Sequence, residues 1–286
     1  MNPVGLRLVG ETEEERANIQ TTIVSEVLNA KKSGRTVVLM FDLDHTVGEY
    51  QPGKNSGISK DTEADQYFVD ISDAGIVIAF NTGRPACFVK ERYPLTASKI
   101  GFSQHLAIST ENGARIRLPD HKEVSFAVDH IEELRKIASE QASLHQGTVV
   151  ELEKENTVTL SLAKTFNRDA AYSHYMEFFL RLSPSFGDFS IISGVSQTDC
   201  YIELVNPQTN KGVASDIIYD HFDPRRNGLL KCFGDSAADV PMKVSTRRRG
   251  GVAVGIGPKA CTGNSSVLLA SPCEVREVLK NIRLGL

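Results

Sequence analysis

Two aspartates one residue apart, Asp42 and Asp44, close the apolar run Val37-Val38-Leu39-Met40-Phe41, and Thr46 stands two residues further on. Like charges that close raise each other's pKa and are hard to keep half-buried without a cation. The pair therefore suggests a divalent metal, a shared proton or both. Carboxylates at the carboxyl end of a strand, where open α/β sheets bind ligands, also suit covalent aspartyl-phosphate chemistry. An isolated Asp-x-Asp-x-Thr also arises in polar turns, so its weight comes from three signals further along. Thr82-Gly83-Arg84 follows the apolar run 76–80, and Pro85 suits a first helical turn whose free N–H groups could meet a phosphate. Lys211 opens a helix expected over 213–221, where a cation opposes the helix dipole, a conflict that an anion site would produce. Gly234-Asp235-Ser236-Ala237-Ala238-Asp239 follows the run 229–233, placing a carboxylate at a strand's carboxyl end and another one helical turn on. All four signals come in order, each at the expected end of its element.

The elements that must position these residues follow from hydrophobic pattern. Residues 12–32 predict an amphipathic helix: Thr12 and Glu15 have capping-box spacing, Ile19, Ile23, Val24, Val27 and Leu28 share a face, and Gly34 stops it. Strands are expected at 37–41, 76–80, 106–109, 229–233 and 252–254, with a polar loop over 48–59 and a helix over 61–73. Short continuous apolar strands separated by helix-length stretches indicate a parallel sheet covered on both faces. Between 115 and 205 the texture changes. The runs 149–153 and 157–162 partly alternate, and helices are expected near 129–143 and 168–182, which predicts an α+β domain with an antiparallel sheet. The fold class is thus α/β, a Rossmann-like parallel-sheet core at 1–114 and 206–286 with an inserted α+β domain at 115–205.

Composition narrows the function. A chain of 286 residues suggests one or two domains, and 32 basic against 36 acidic residues imply no field for nucleic acid. No apolar run approaches the ~18 residues of a membrane span, and Met1 to Gly5 show no leader pattern, so a cytoplasmic protein with no membrane partner is expected. Five cysteines (Cys87, Cys200, Cys232, Cys261, Cys273) without C-x-x-C spacing predict reduced thiols. Arg247, Arg248 and Arg249 read as a solvated turn. Gly255-Ile256-Gly257-Pro258-Lys259-Ala260 imitates a dinucleotide fingerprint, but Pro258 and the residues after it argue against the helix that motif needs. A calcium loop starting at Asp42 would have Val47 in place of its glycine and Gly53 in place of its glutamate.

Taken together, these residues resemble the haloacid dehalogenase superfamily of phosphatases, whose four motifs match Asp42/Asp44/Thr46, Thr82, Lys211 and Asp235/Asp239. The insertion resembles the larger cap of the superfamily's sugar phosphatases. Glu111-Asn112-Gly113, Tyr201-Ile202-Glu203-Leu204-Val205-Asn206-Pro207 and the tail from Gly251 are loosely similar to the trehalose-6-phosphate phosphatases. His45 replaces the usual glycine, Asn112 the usual histidine, and the cap strand ends Leu160-Ser161-Leu162-Ala163 without the usual His-Tyr-Arg. The resemblance implies that Asp42 attacks phosphorus and that Asp44 serves as acid and then base. It implies that Thr46, Thr82, Gly83 and Lys211 hold the phosphoryl group. Mg²⁺ would be bound by Asp42, the Asp44 carbonyl and Asp235, with Asp239 beside it. Glu111 and Glu203 are candidates for substrate hydroxyls, and the partner implied is a small phosphorylated sugar. A phosphatase of another small phosphorylated metabolite (of the sucrose phosphate or mannosyl-phosphoglycerate type), a phosphotransferase or mutase, and a relative that kept the fold without catalysis are the alternatives.

Overall fold

The computed structural model describes residues 10–49, 59–186, 189–195, 200–258 and 264–286. The amino-terminal stretch, most of the loop at 48–59, Lys259 and Ala260 of the fingerprint-like segment, and Cys261 lie outside them.

The chain opens with α1 (Glu13–Lys32), where the Thr12 side chain accepts from Glu15 N and the Glu15 carboxylate accepts from Thr12 N, the expected capping box. Then come β1 (Val37–Phe41), α2 (Thr62–Asp73), β2 (Val77–Asn81), α3 (Ala86–Arg92), α4 (Pro94–Lys99) and β3 (Leu106–Thr110), followed by a hairpin, β4 (Arg115–Arg117) and β5 (Glu123–Ser125). The middle of the chain supplies α5 (Ile131–Ala142), β6 (Val149–Val150), β7 (Val158–Ser161), α6 (Arg168–Leu182), β8 (Ser190–Val195) and β9 (Cys200–Val205). It returns through α7 (Lys211–Phe222), β10 (Leu229–Gly234), α8 (Val240–Arg248), β11 (Val252–Ile256), β12 (Val267–Leu269) and α9 (Pro272–Gly285).

Eight strands form one sheet in the order β12-β11-β10-β1-β2-β3-β4-β5, parallel through β3 and antiparallel in the hairpin. In β1 every residue is buried, and its side chains alternate between two cores as the two-residue strand period requires. Leu39 and Phe41 join Ile23, Phe68 and Leu279 on the face covered by α1, α2 and α9. Val38 and Met40 join Ile218, Tyr219 and Met242 under α7 and α8. A second, four-stranded antiparallel sheet, β6-β7-β9-β8, packs against α5 and α6 around Leu160, Ile202, Tyr175 and Phe179.

Four details differ from the sequence reading. Strand β2 is shifted by one residue, because Asn81 pairs with Ser109. The alternating run at 149–153 contributes only two strand residues. The hairpin 115–125 edges the large sheet, so the chain passes to the second sheet after Ser125 rather than at 115. Short half-buried strands alternate in the same way whichever sheet they border, and their pattern alone does not say which one that is. The arginine triplet is not a solvated turn throughout: Arg249 binds Asp216 and Asp220 and fastens α8 to α7.

Candidate active site

Strands β1 and β10 are neighbours, with Phe41 opposite Phe233 and the two rings stacked at 4.7 Å. The ladder runs one residue further, since Asp42 N donates to Phe233 O at 2.9 Å. Two apolar strands locked by stacked aromatics thus deliver Asp42 and Asp235 to the same edge of the sheet. At Gly234 a β-carbon would lie 2.6 Å from Asp239 Cγ, so only glycine lets Asp239 fold back beneath the strand end. Asp239 Oδ2 accepts from Ser236 N at 3.0 Å and Ser236 Oγ at 3.2 Å, which fixes it across a tight turn.

Lys211 enters from the start of α7, where the Asn210 side chain caps the helix by accepting from Gly212 N and Val213 N. Its Nζ donates to Asp42 Oδ1 at 2.8 Å and Asp239 Oδ1 at 2.7 Å, with all three side chains buried. Gly113, at φ +101, sets the end of β3 against this helix start; a β-carbon there would come within 2.6 Å of Asn210 O.

Ligand oxygens of Asp42, Asp235 and Asp239 lie within 4.8 Å of one another. Burial raises the Asp42 pKa well above the usual range against the pull of Lys211, and Asp239 and Asp235 add to the rise. Burial, then repulsion from Asp239, push Asp235 up to about 7. Lys211 pulls Asp239 down against the effect of burial. Three crowded carboxylates, two of them resisting ionisation, form a hard oxygen set of the kind Mg²⁺ takes. The residues fit that ion, with Asp42 Oδ2 and the Asp235 carboxylate free of bonds to other residues and Asp239 already committed at both oxygens.

Asp44 points elsewhere. Arg84 Nε donates to its Oδ2 at 2.6 Å, and the guanidinium lies 4.6 Å above the Phe88 ring. Thr82, also buried, accepts from Arg84 N through its hydroxyl, and Gly83 lies against the Asn112 amide. Pro85 stands just before α3 as its cap residue rather than inside the first turn. The Thr46 hydroxyl is fully buried without a hydrogen-bond partner, so a phosphoryl oxygen would complete it.

Glu111 and Glu203 come together at the junction between the two sheets, about the Asn112 side chain. Glu111 accepts from Glu155 N, Asn156 N and Thr157 N, at 3.0, 2.8 and 3.1 Å. Glu203, fully buried, accepts from Asn112 Nδ2 at 2.6 Å, Lys154 Nζ at 2.7 Å and Thr157 Oγ1 at 2.8 Å. Burial raises the Glu111 pKa despite the backbone donors, and Glu203 and Glu151 hold Lys154 charged.

No protein-family model and no curated protein match the sequence. Solved structures do. The C-terminal domain of C. albicans trehalose-6-phosphate phosphatase superposes with a TM-score of 0.71 at 18% identity, covering 91% of this chain and 96% of that one. A trehalose-6-phosphate phosphatase related protein gives 0.64 at 16%, covering 86% and 97%. A phosphatase of the haloalkanoate superfamily from Bacteroides thetaiotaomicron gives 0.54 at 14%, covering 87% and 96%. The chain has the haloacid dehalogenase fold.

Within this haloacid dehalogenase core, Asp42, Lys211, Asp235 and Asp239 form one contiguous cluster, and Asp44 stands apart with Arg84. Four residues around the site had no role in the sequence reading. Arg84 follows Thr82 by two positions at a strand end, a signal that was available. Asn112 and Lys154 gave none, because their partner Glu203 lies 91 and 49 residues away, and Lys243 gave none, because a lysine on a helix is ordinarily solvated.

Proposed function

We propose that the chain is a Mg²⁺-dependent phosphomonoester hydrolase acting on a sugar phosphate through an aspartyl-phosphate intermediate. What carries this reading is the Lys211 ammonium shared between Asp42 and Asp239, beside an Asp235 that no other residue serves. Asp42 Oδ2, the oxygen turned away from Lys211, is the nucleophile. It attacks phosphorus and displaces the sugar oxygen, and the ester bond breaks as the aspartyl–phosphate bond forms. Asp44 gives its proton to the departing oxygen and takes one from the water that next attacks phosphorus, which releases phosphate and restores Asp42. For the first transfer Arg84 must leave Asp44, and the phosphoryl oxygens are its natural new partners, since a guanidinium matches their geometry. Thr46, Thr82, the N–H groups around Gly83, and Lys211 hold the same oxygens. Mg²⁺, bound by Asp42, Asp235 and the Asp44 carbonyl, would supply charge neutralisation, on which phosphoryl transfer depends.

Residues of the second sheet form the cap that reads the leaving group. Glu111 and Glu203 are the candidates for sugar hydroxyls, each exchanging one of its protein donors for a hydroxyl. Trehalose 6-phosphate is the leading single substrate, from the likeness of the tail and of the 201–212 segment. A phosphate-release screen over sugar phosphates with Mg²⁺ tests the proposal. Release from at least one sugar phosphate is expected. Phosphate recovered on a second sugar rather than in solution would replace hydrolysis with transfer, and no turnover of any phosphomonoester would reject the enzyme.

A further inference from the structure

Two buried lysines face the acidic cluster, and the cluster uses one of them. Lys211 has both of its carboxylates at hydrogen-bond distance. Lys243, in the first turns of α8, is 0% exposed, and its Nζ has no hydrogen-bond partner. It follows Asp239 by four residues, the spacing that stacks side chains on one face of a helical turn, and Asp239 itself has αR backbone angles. Burial lowers the Lys243 pKa, while Asp239, Cys232 and Asp235 pull it back up and Lys211 opposes them. These charges surround the amine from the tight turn, from β10 and from α7.

A buried ammonium without a partner is costly, and such a group in a folded protein calls for an explanation. Asp239 is already bonded at both oxygens, one to Lys211 and the other to Ser236. Asp235 is open: among the described residues no other residue donates to its carboxylate, and only its own backbone N–H favours its charged form through a hydrogen bond.

We propose that Lys243 is a resident counter-ion of this site, a buried positive charge that offsets Asp239 and Asp235 through space and opposes a divalent cation arriving beside them. The inference rests on the reading that Asp42 and Asp235 hold Mg²⁺. Its consequence is electrostatic. Three carboxylates facing Lys211 alone would be neutralised by one divalent ion and would bind that ion tightly by itself. With Lys243 also present, the ion leaves the cluster net positive until a phosphoryl dianion joins it. Metal and phosphate therefore bind more tightly together than apart, and Lys243 is the residue that couples them.

Isothermal titration of the metal-free protein with Mg²⁺ tests this, on the wild type, Lys243→Met and Lys243→Gln, the last keeping a polar end should the first not fold. Removing the charge is expected to lower the Kd for Mg²⁺ roughly tenfold or more, since unit charges at ionic range in a partly screened site interact by well over one tenfold step. The gain in melting temperature on adding Mg²⁺ should grow in parallel. Inorganic phosphate should tighten Mg²⁺ binding in the wild type and do so less in either variant. Equal or weaker Mg²⁺ binding in both variants would overturn the role of Lys243 and leave the metal reading standing. Failure of the wild type to bind Mg²⁺, with and without phosphate, would overturn the metal reading and this inference with it.

Discussion

Two of the buried clusters of charge, one at the carboxyl ends of β1 and β10 and one between the two sheets, are finished to different degrees. Around Glu111 and Glu203 each carboxylate has at least three donors, and Lys154 has carboxylates on two sides. Around Asp42 and Asp235 the bonding stops short. Among the described residues, none donates to Asp42 Oδ2 or to the Asp235 carboxylate, and the Thr46 hydroxyl and the Lys243 amine are buried without a hydrogen-bond partner. Burial makes an unsatisfied polar group expensive, so a fold keeps several of them together only where something else completes them. The first cluster is bonded as it stands, and under the proposed function the second is completed by a phosphoryl group and its cation.

The contrast is broken most severely at Asp42. Asp42→Ala is expected to lower turnover at least ~10³-fold, as loss of a catalytic group does elsewhere. Its melting temperature should hold or rise, because the buried carboxylate strains the metal-free site. Steady-state phosphate release and a thermal melt on the same preparation check both halves, and activity within about tenfold of wild type would place the nucleophile elsewhere.

The opposite profile is expected at Glu203. Glu203→Ala leaves Lys154 buried beside a cavity with only the Glu151 carboxylate, 3.5 Å away, and should cost about 3 kcal/mol, the usual scale for breaking a buried pair. Chemical denaturation measures it. If Glu203 also reads the sugar, kcat/KM falls further for the best sugar phosphate than for p-nitrophenyl phosphate, which has no hydroxyls to lose. Equal losses on both would restrict Glu203 to holding the junction.

Acidity separates the clusters more gently. In the metal-free protein Asp42 is raised and Asp235 is pushed up to about 7, so between about pH 4 and pH 7 the folded state binds more protons than the unfolded one. Stability in chelator should therefore fall as pH rises through that window, and Mg²⁺ should offset the fall. Asp235→Asn should flatten it. Thermal melts from pH 4.5 to about 7.5 decide, and a steeper fall in the variant would contradict the assignment.

Much of this was legible before any coordinates. The parallel strands were readable because each is a short unbroken apolar run, and Asp42, Lys211, Asp235 and Asp239 because each ends or opens such an element. The capping box at Thr12 and Glu15 stood out for the same local reason. What stayed hidden is what depends on distant partners. Nothing in the sequence near Glu203 says that Asn112, 91 residues away, donates to it. Nothing near Lys243 says that its helix face turns inward. Residues 115–125 were counted with the inserted domain, whereas they form a hairpin on the edge of the large sheet, and nothing local in their sequence names that neighbour. Asp44 was given its acid–base role by the family resemblance, and its ion pair with Arg84 appeared only when β1 and β2 were side by side.

The most direct test of the difference between the two clusters is to stop turnover with acid and search the peptides for a covalent phosphoryl group. With the best sugar phosphate and Mg²⁺, the wild type should carry it on Asp42, Asp42→Asn should carry none, and Glu203→Gln should carry it as the wild type does. A phosphoryl group on any other residue, or rapid phosphate release by Asp42→Asn, would contradict the assignment of Asp42 as the nucleophile.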